Sequence, residues 1–174
     1  MSEKIKSIPV TYKGVKFRSK LEAQWAKMLD HIHVKWLYEP AHYRLADGTA
    51  YIPDFWLPDL KAWFEVKGIM EDLDMHKVEL LAAAGNPVCI GYAGGTVNGF
   101  LPDDDGTPGW SAEVFFCKCT VCGHVYVSDF NGMFLCPACG VCGVGYIDML
   151  LDYRATKDWD KITQIDWRDE ARRL

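Results

Sequence analysis

The chain has 174 residues, 49% of them hydrophobic, with seven tryptophans and a net charge of −5. That suits one ordinary domain, or one domain with a small appendage, and supplies enough apolar side chains for a true core. No stretch approaches the roughly 18 continuous apolar residues of a membrane span, and Met1-Ser2-Glu3-Lys4-Ile5-Lys6 lacks the apolar segment of a secretory signal, so a cytoplasmic location is expected.

The negative balance weighs against a strong nucleic-acid binder, whose affinity comes from neutralising phosphates. Its distribution is uneven: Lys4, Lys6, Lys13, Lys16, Arg18 and Lys20 meet only Glu3 in the first twenty positions, while Asp103-Asp104-Asp105 concentrates acid elsewhere. Lys13, Lys16, Arg18 and Lys20 are candidates for contacts with a DNA backbone, or are plain exposed charges at a helix start. Ser19-Lys20-Leu21-Glu22 opens a helix predicted to run to about residue 33, with Leu21, Trp25, Met28, Leu29 and Ile32 at spacings of three and four forming its buried stripe. An extended segment follows at 34–39 and resumes after Pro40 at 43–45.

Residues 51–57 and 62–67 read as the arms of a hairpin turning at Pro58-Asp59-Leu60-Lys61, which folds Asp54 back beside Glu65. Alternate strand side chains share a face, so Glu65 and Lys67 point together and Phe64 and Val66 point the other way. One face is predicted to carry chemistry, and the other the core. A second helix is expected from residue 71 to about 84, stopped by Gly85-Asn86-Pro87 and packed through Leu73, Val78, Leu81 and Ala82. A buried strand at 88–92 encloses Cys89. Helix, strands, helix, strand is an α/β order.

Residues 94–111 are turn-rich and read as a Gly/Pro/Asp-rich linker between a core of residues 1–93 and a cysteine module at 112–147. A C-terminal helical segment, 148–174, carries Met149, Leu150, Tyr153, Trp159 and Ile162. Six of the seven cysteines fall between positions 117 and 142. Cys119-Thr120-Val121-Cys122-Gly123 and Cys136-Pro137-Ala138-Cys139-Gly140 are two Cys-x-x-Cys-Gly knuckles, the spacing of a zinc ribbon whose four thiolates close a tetrahedral Zn²⁺ site. Cys117 and Cys142 leave other ligand sets open, including Cys117 with Cys119 or Cys139 with Cys142. Lys118 is the only basic residue of 112–147 apart from His124, which favours bracing or protein contact over phosphate binding.

Pro53-Asp54 followed by Glu65-Val66-Lys67 resembles the PD-(D/E)xK nuclease superfamily. With Phe17-Arg18-Ser19-Lys20-Leu21-Glu22, Tyr38-Glu39, Pro53-Asp54-Phe55 and Glu65-Val66-Lys67-Gly68, roughly residues 13–92 are similar to the phage endonuclease I family of Holliday-junction resolvases. The resemblance implies a restriction-endonuclease-like core, a mixed sheet flanked by helices, with the ribbon inserted or appended. It implies an Mg²⁺- (or Mn²⁺-) dependent endodeoxyribonuclease in a bacterial or phage-infected cell, leaving a 5′-phosphate and a 3′-hydroxyl. Glu22, Asp54, Glu65 and Lys67 are then the catalytic set. Asp54, Glu65, the Val66 carbonyl and Glu22 hold the metal, and Lys67 orients water or offsets charge on the phosphorane. Branched or junction DNA as substrate, and a homodimer, follow from the resemblance alone.

Each site residue also has a plain reading: turn chemistry for Asp54 after proline, a solvated cross-strand pair for Glu65 and Lys67, and a capping box for Ser19-x-x-Glu22. The rival function is a non-catalytic module that binds nucleic acid or protein, whose signature would be a missing site residue; none is missing.

Overall fold

The computed structural model describes residues 8–70, 73–103, 105–129, 135–143, 145, 147–151 and 157–164. A hairpin comes first, β1 (Val10–Tyr12) against β2 (Val15–Phe17), with Lys13 at φ 49° and Gly14 at φ 78° in the turn. Two positive φ values in a two-residue loop match the twist of the flanking strands. Helix α1 (Lys20–His31) follows, and Ser19 Oγ accepts the Glu22 amide as N-cap. It ends two residues before the predicted limit, because His33 adopts φ 59° and the Val34 amide turns back to the Leu29 carbonyl at 2.9 Å. Trp25, Met28 and Leu29 are wholly buried, as the stripe predicts.

Strands β3 (Leu37–Tyr38), β4 (Tyr43–Arg44), β5 (Ala50–Tyr51), β6 (Phe55–Leu57), β7 (Ala62–Lys67), β8 (Val88–Tyr92), β9 (Val97–Pro102) and β10 (Pro108–Ser111) follow. Six of them form one sheet in the order β10-β9-β8-β7-β6-β3, while β4 and β5 pair separately. The hairpin β6–β7 forms with Leu57 opposite Ala62 and Phe55 opposite Phe64; its second arm is as expected, but the first is only Phe55–Leu57 rather than 51–57, since Tyr51 pairs in β5 with β4. Only β7 and β8 run parallel, since helix α2 (Met75–Ala82) crosses between them; the sheet is therefore mixed. Asp74 caps α2, and the predicted start at residues 71–72 lies outside the described residues.

Both faces of this sheet are buried. Phe55, Phe64, Val66 and Cys89 meet α1 on one side; Trp63, Val88, Ile90 and Phe100 meet Val78 and Leu81 of α2 on the other. The expectation of one chemical and one apolar face is thereby corrected: Trp63, on the Glu65 face of β7, packs into the α2 core, and the polar residues sit at the strand end beyond it.

The expected linker at 94–111 is also corrected, since it contains β9 and β10, two strands of the main sheet. Some of its turn residues do serve turns, while Gly99 and Gly109 lie within β9 and β10. Gly94 and Gly95 have φ 86° and 88° between β8 and β9, and the Asp105 carboxylate accepts the Thr107 amide at 2.9 Å between β9 and β10.

Beyond it, β11 (Phe115–Cys119), β12 (Val125–Ser128) and β13 (Ile147–Leu151) form a three-stranded sheet in the order β12-β11-β13. The start of the expected C-terminal helical segment is thus a strand, paired to β11 from Ile147 to Leu151. Helix α3 (Trp159–Ile162) comes later, its Trp159 ring 4.8 Å from that of Trp25; Tyr153 and residues 165–174 lie outside the described residues. Val114, Phe116 and Leu151 enter the α1-side core, with Phe116 6.1 Å from Phe64, so the cysteine module shares the main core rather than forming a body of its own. Among the described residues no helix is long and apolar enough to cross a membrane.

Candidate metal centres

The register lines up one row across three strands. Tyr38 opposes Phe55 and Phe55 opposes Phe64, so the next step places Glu39, Asp54 and Glu65 side by side. Two bonds fix the row: the Glu39 amide donates to the Asp54 carbonyl at 2.8 Å, and the Asp54 amide donates to Glu65 Oε1 at 3.2 Å. Asp54 Oδ2 in turn accepts the Val66 amide at 2.8 Å. Continued by one residue, the register sets Val66 opposite Pro53, which has no N–H to give. The Val66 amide donates to the Asp54 carboxylate instead of to a ladder carbonyl, and the Val66 carbonyl, on the same strand edge, receives nothing from Pro53.

Asp54 and Glu65 are 4% and 1% exposed. Lys67 Nζ lies 3.2 Å from Glu65 Oε2, on the shared face the strand alternation predicts. Burial first, then the Glu65 charge, pushes Asp54 up to about 7. Burial alone would lower Lys67, but Glu65 and Asp54 outweigh it and hold the ammonium charged. Tyr51, from β5, brings its hydroxyl to Glu65; burial, then the Glu65 charge, drives its pKa far up, so it remains a neutral donor.

Glu22 arrives from α1, where it caps the helix and also reaches toward β3 and Arg18. Its Oε1 accepts the Ser19 hydroxyl at 2.9 Å, a capping contact, while Oε2 accepts the Tyr38 hydroxyl at 2.5 Å and the Arg18 amide at 3.1 Å. The box differs from the expected one, since the glutamate takes the Arg18 amide rather than that of Ser19. Arg18 joins the two halves: its Nη2 lies 2.8 Å from Asp54 Oδ1 and its Nε 2.7 Å from Glu39 Oε1. Glu39 holds φ 44° immediately before Pro40, a costly backbone for a non-glycine residue, at the point where it meets Arg18.

Four carboxylates, Glu22, Glu39, Asp54 and Glu65, therefore face two cations, Arg18 and Lys67. Hard oxygen donors with excess buried negative charge, beside a carbonyl that its strand neighbour cannot satisfy, fit a divalent cation of the Mg²⁺ class. These oxygens are spread wider than a closed ligand shell: among the described residues only four cysteines bring three or more ligand atoms within 4.8 Å of one another.

The other DNA-contact candidates lie apart from this row. Lys13 pairs with Asp30 at 2.7 Å, Lys16 is exposed on β2, and Lys20 is exposed in the first turn of α1. Sequence reasoning missed Tyr51. Nothing in its own strand marks it, because β5 pairs with β4 and reaches Glu65 only through the tertiary fold.

The cysteine centre is built from Cys119, Cys122, Cys136 and Cys139. Cys119 and Cys139 sulfurs are 3.8 Å apart, and those of Cys122 and Cys136 are 3.6 Å apart. Metal–sulfur bonds of about 2.3 Å in a tetrahedron require sulfur separations of about 3.8 Å, so the set fits an ion such as Zn²⁺. The two knuckles repeat one geometry. Gly123 donates to the Cys119 carbonyl and Gly140 to the Cys136 carbonyl, both at 2.9 Å, with φ 75° and 71° at the glycines. Amides of Cys122 and Val121 point at the Cys119 sulfur, that of His124 at Cys122 and that of Val141 at Cys139. Cys117 is buried with its thiol directed at the Phe115 carbonyl, 3.9 Å away, and burial pushes it up to about 12; Cys142 is exposed outside the group.

Comparison with protein-family models, curated proteins and solved structures gives no match.

Proposed function

We propose that the chain is a metal-dependent DNA endonuclease of the PD-(D/E)xK type, hydrolysing phosphodiester bonds with Mg²⁺ or Mn²⁺, with a structural Zn²⁺ in the ribbon. The observation that carries the proposal is the pair Asp54 and Glu65, buried side by side at the sheet end with Lys67 on the same strand face. Arg18 and Lys67 offset these two carboxylates, but Glu22 and Glu39 beside them leave the row with more carboxylates than cations, a place for a divalent ion that a phosphodiesterase puts to use.

Asp54 and Glu65 would hold the ion, with the Val66 carbonyl beside them and Glu22 at the helix start. A divalent ion there supplies positive charge to the phosphate and a more acidic water. Lys67, kept charged by its neighbours, orients the attacking water and offsets charge on the phosphorane; its raised pKa speaks against a role as general base. Tyr51 fixes Glu65, and Tyr38 fixes Glu22. Preference for branched DNA and assembly as a homodimer rest on the sequence resemblance.

Labelled branched, linear duplex and single-stranded DNA, each incubated with Mg²⁺ and with EDTA, test the proposal. Cleavage is expected only with the metal, and Asp54→Ala should lower the rate about a thousandfold or more. No cleavage of any substrate with Mg²⁺ or Mn²⁺ sinks the enzyme. Undiminished cleavage by Asp54→Ala moves the site elsewhere.

A further inference from the structure

Arg18 stands where a cation is needed and is built to leave. Its backbone amide is anchored by Glu22 Oε2 at 3.1 Å and the Tyr38 hydroxyl at 3.2 Å, at the head of α1. Its side chain, 58% exposed, forks between Asp54 Oδ1 at 2.8 Å and Glu39 Oε1 at 2.7 Å, while the Asp54 side chain is only 6% exposed. Lys67 is held differently, three-quarters buried against Glu65 from within. A divalent ion that bonds Asp54 needs the oxygen that Arg18 now occupies, and two cations on one carboxylate oxygen repel strongly in a partly buried site.

We propose that Arg18 is a placeholder that exchanges with the metal and then binds the phosphate. In the metal-free chain it neutralises Asp54. When the ion arrives, the guanidinium gives up Asp54 and turns outward to the substrate phosphate, while the backbone anchor keeps it at the site. A planar fork that bridges two carboxylates is equally suited to two phosphate oxygens. The inference rests on the nuclease reading, and it makes Arg18 a DNA contact that acts only in the metal-bound state.

Calorimetric titration of the zinc-loaded chain with Mn²⁺ tests the exchange. Arg18→Gln is expected to bind Mn²⁺ about tenfold tighter than the parent, because a competing charge is gone. Arg18→Lys, which keeps the charge but cannot bridge both carboxylates, should fall between them, and it serves alone if the glutamine variant does not fold. Mn²⁺ affinity equal to or weaker than the parent's in both variants overturns the exchange while leaving the metal site standing. A parent chain with no Mn²⁺ binding that Asp54→Ala removes overturns the metal site, and the exchange with it.

The second arm measures binding of labelled duplex DNA, with Ca²⁺ to keep it uncut and with EDTA. The parent should gain more affinity from Ca²⁺ than Arg18→Gln does, and equal gains overturn the phosphate contact.

Discussion

At Asp54, burial, charge and backbone geometry meet in one side chain. The proline before it removes a ladder donor, its own carboxylate accepts the Val66 amide, and Glu65 lies next in the row. The placing of Asp54 beside Glu65 was legible in the sequence, because strand alternation and a four-residue turn fix which residues stand opposite; the Val66 amide contact was not. The electrostatics lead to a prediction. The folded pKa of about 7 lies above the ordinary aspartate value of about 3.9, so the folded state holds the proton more tightly than the unfolded chain. Stability from this group is fully present below about pH 4 and is lost as pH rises through about 7. The zinc-loaded protein without Mg²⁺ or Mn²⁺ should therefore melt at progressively lower temperature between about pH 4 and pH 7, by an amount on the order of 1 kcal/mol per pH unit at most. Glu65→Gln should flatten that slope, because the charge that helps to raise Asp54 is removed. A melting temperature that does not change across this window, or the same slope in the variant, contradicts the account.

At the scale of elements, strong periodicity was readable and short or turn-rich pieces were not. Helix α1 announced itself through Leu21, Trp25, Met28 and Leu29, and β8 through its apolar run. Strands β9 and β10 were hidden by glycine, proline and aspartate, some of which form hairpin turns while Gly99, Pro102, Pro108 and Gly109 lie in the strands themselves. The hairpin β1–β2 passed unread although Lys13-Gly14 is its turn signal. The fit of α1 on the sheet is tight at Gly91 of β8. A Cβ there would lie 2.4 Å from Phe64 Cζ and 2.5 Å from Trp25 Cε2, both in wholly buried rings. Gly91→Ala should thus destabilise the fold by about 1–3 kcal/mol through overpacking, since neither ring has room to swing away. Denaturant unfolding measures this. A neutral substitution would mean that α1 does not sit on β8 as described.

Across the whole molecule, the cysteine module joins the core that shapes the carboxylate row. Phe116 of β11 packs against Phe64, the residue before Glu65, and Leu151 of β13 is buried in the same cluster. If the module braces the core in this way, removing its metal costs more than local order. The chain as purified should carry about one zinc, unchanged by Cys142→Ser. Cys136→Ser, at a buried ligand, should lower the melting temperature of the entire fold by several degrees and reduce cleavage in step. A ribbon that unfolds in a separate, earlier transition, leaving cleavage intact, would show it to be an appendage, as the division of the chain at residue 111 had it.

The sequence by itself determined the two knuckles, the pairing of Asp54 with Glu65 and Lys67, and the stripe of α1, because each depends on spacing along a few consecutive residues. Only the tertiary structure decided that Arg18 bridges Asp54 and Glu39, that Tyr51 reaches Glu65, and that β9 to β11 extend one continuous core. Those contacts join positions far apart in the chain, and their geometry comes from how whole elements pack, which local periodicity does not encode.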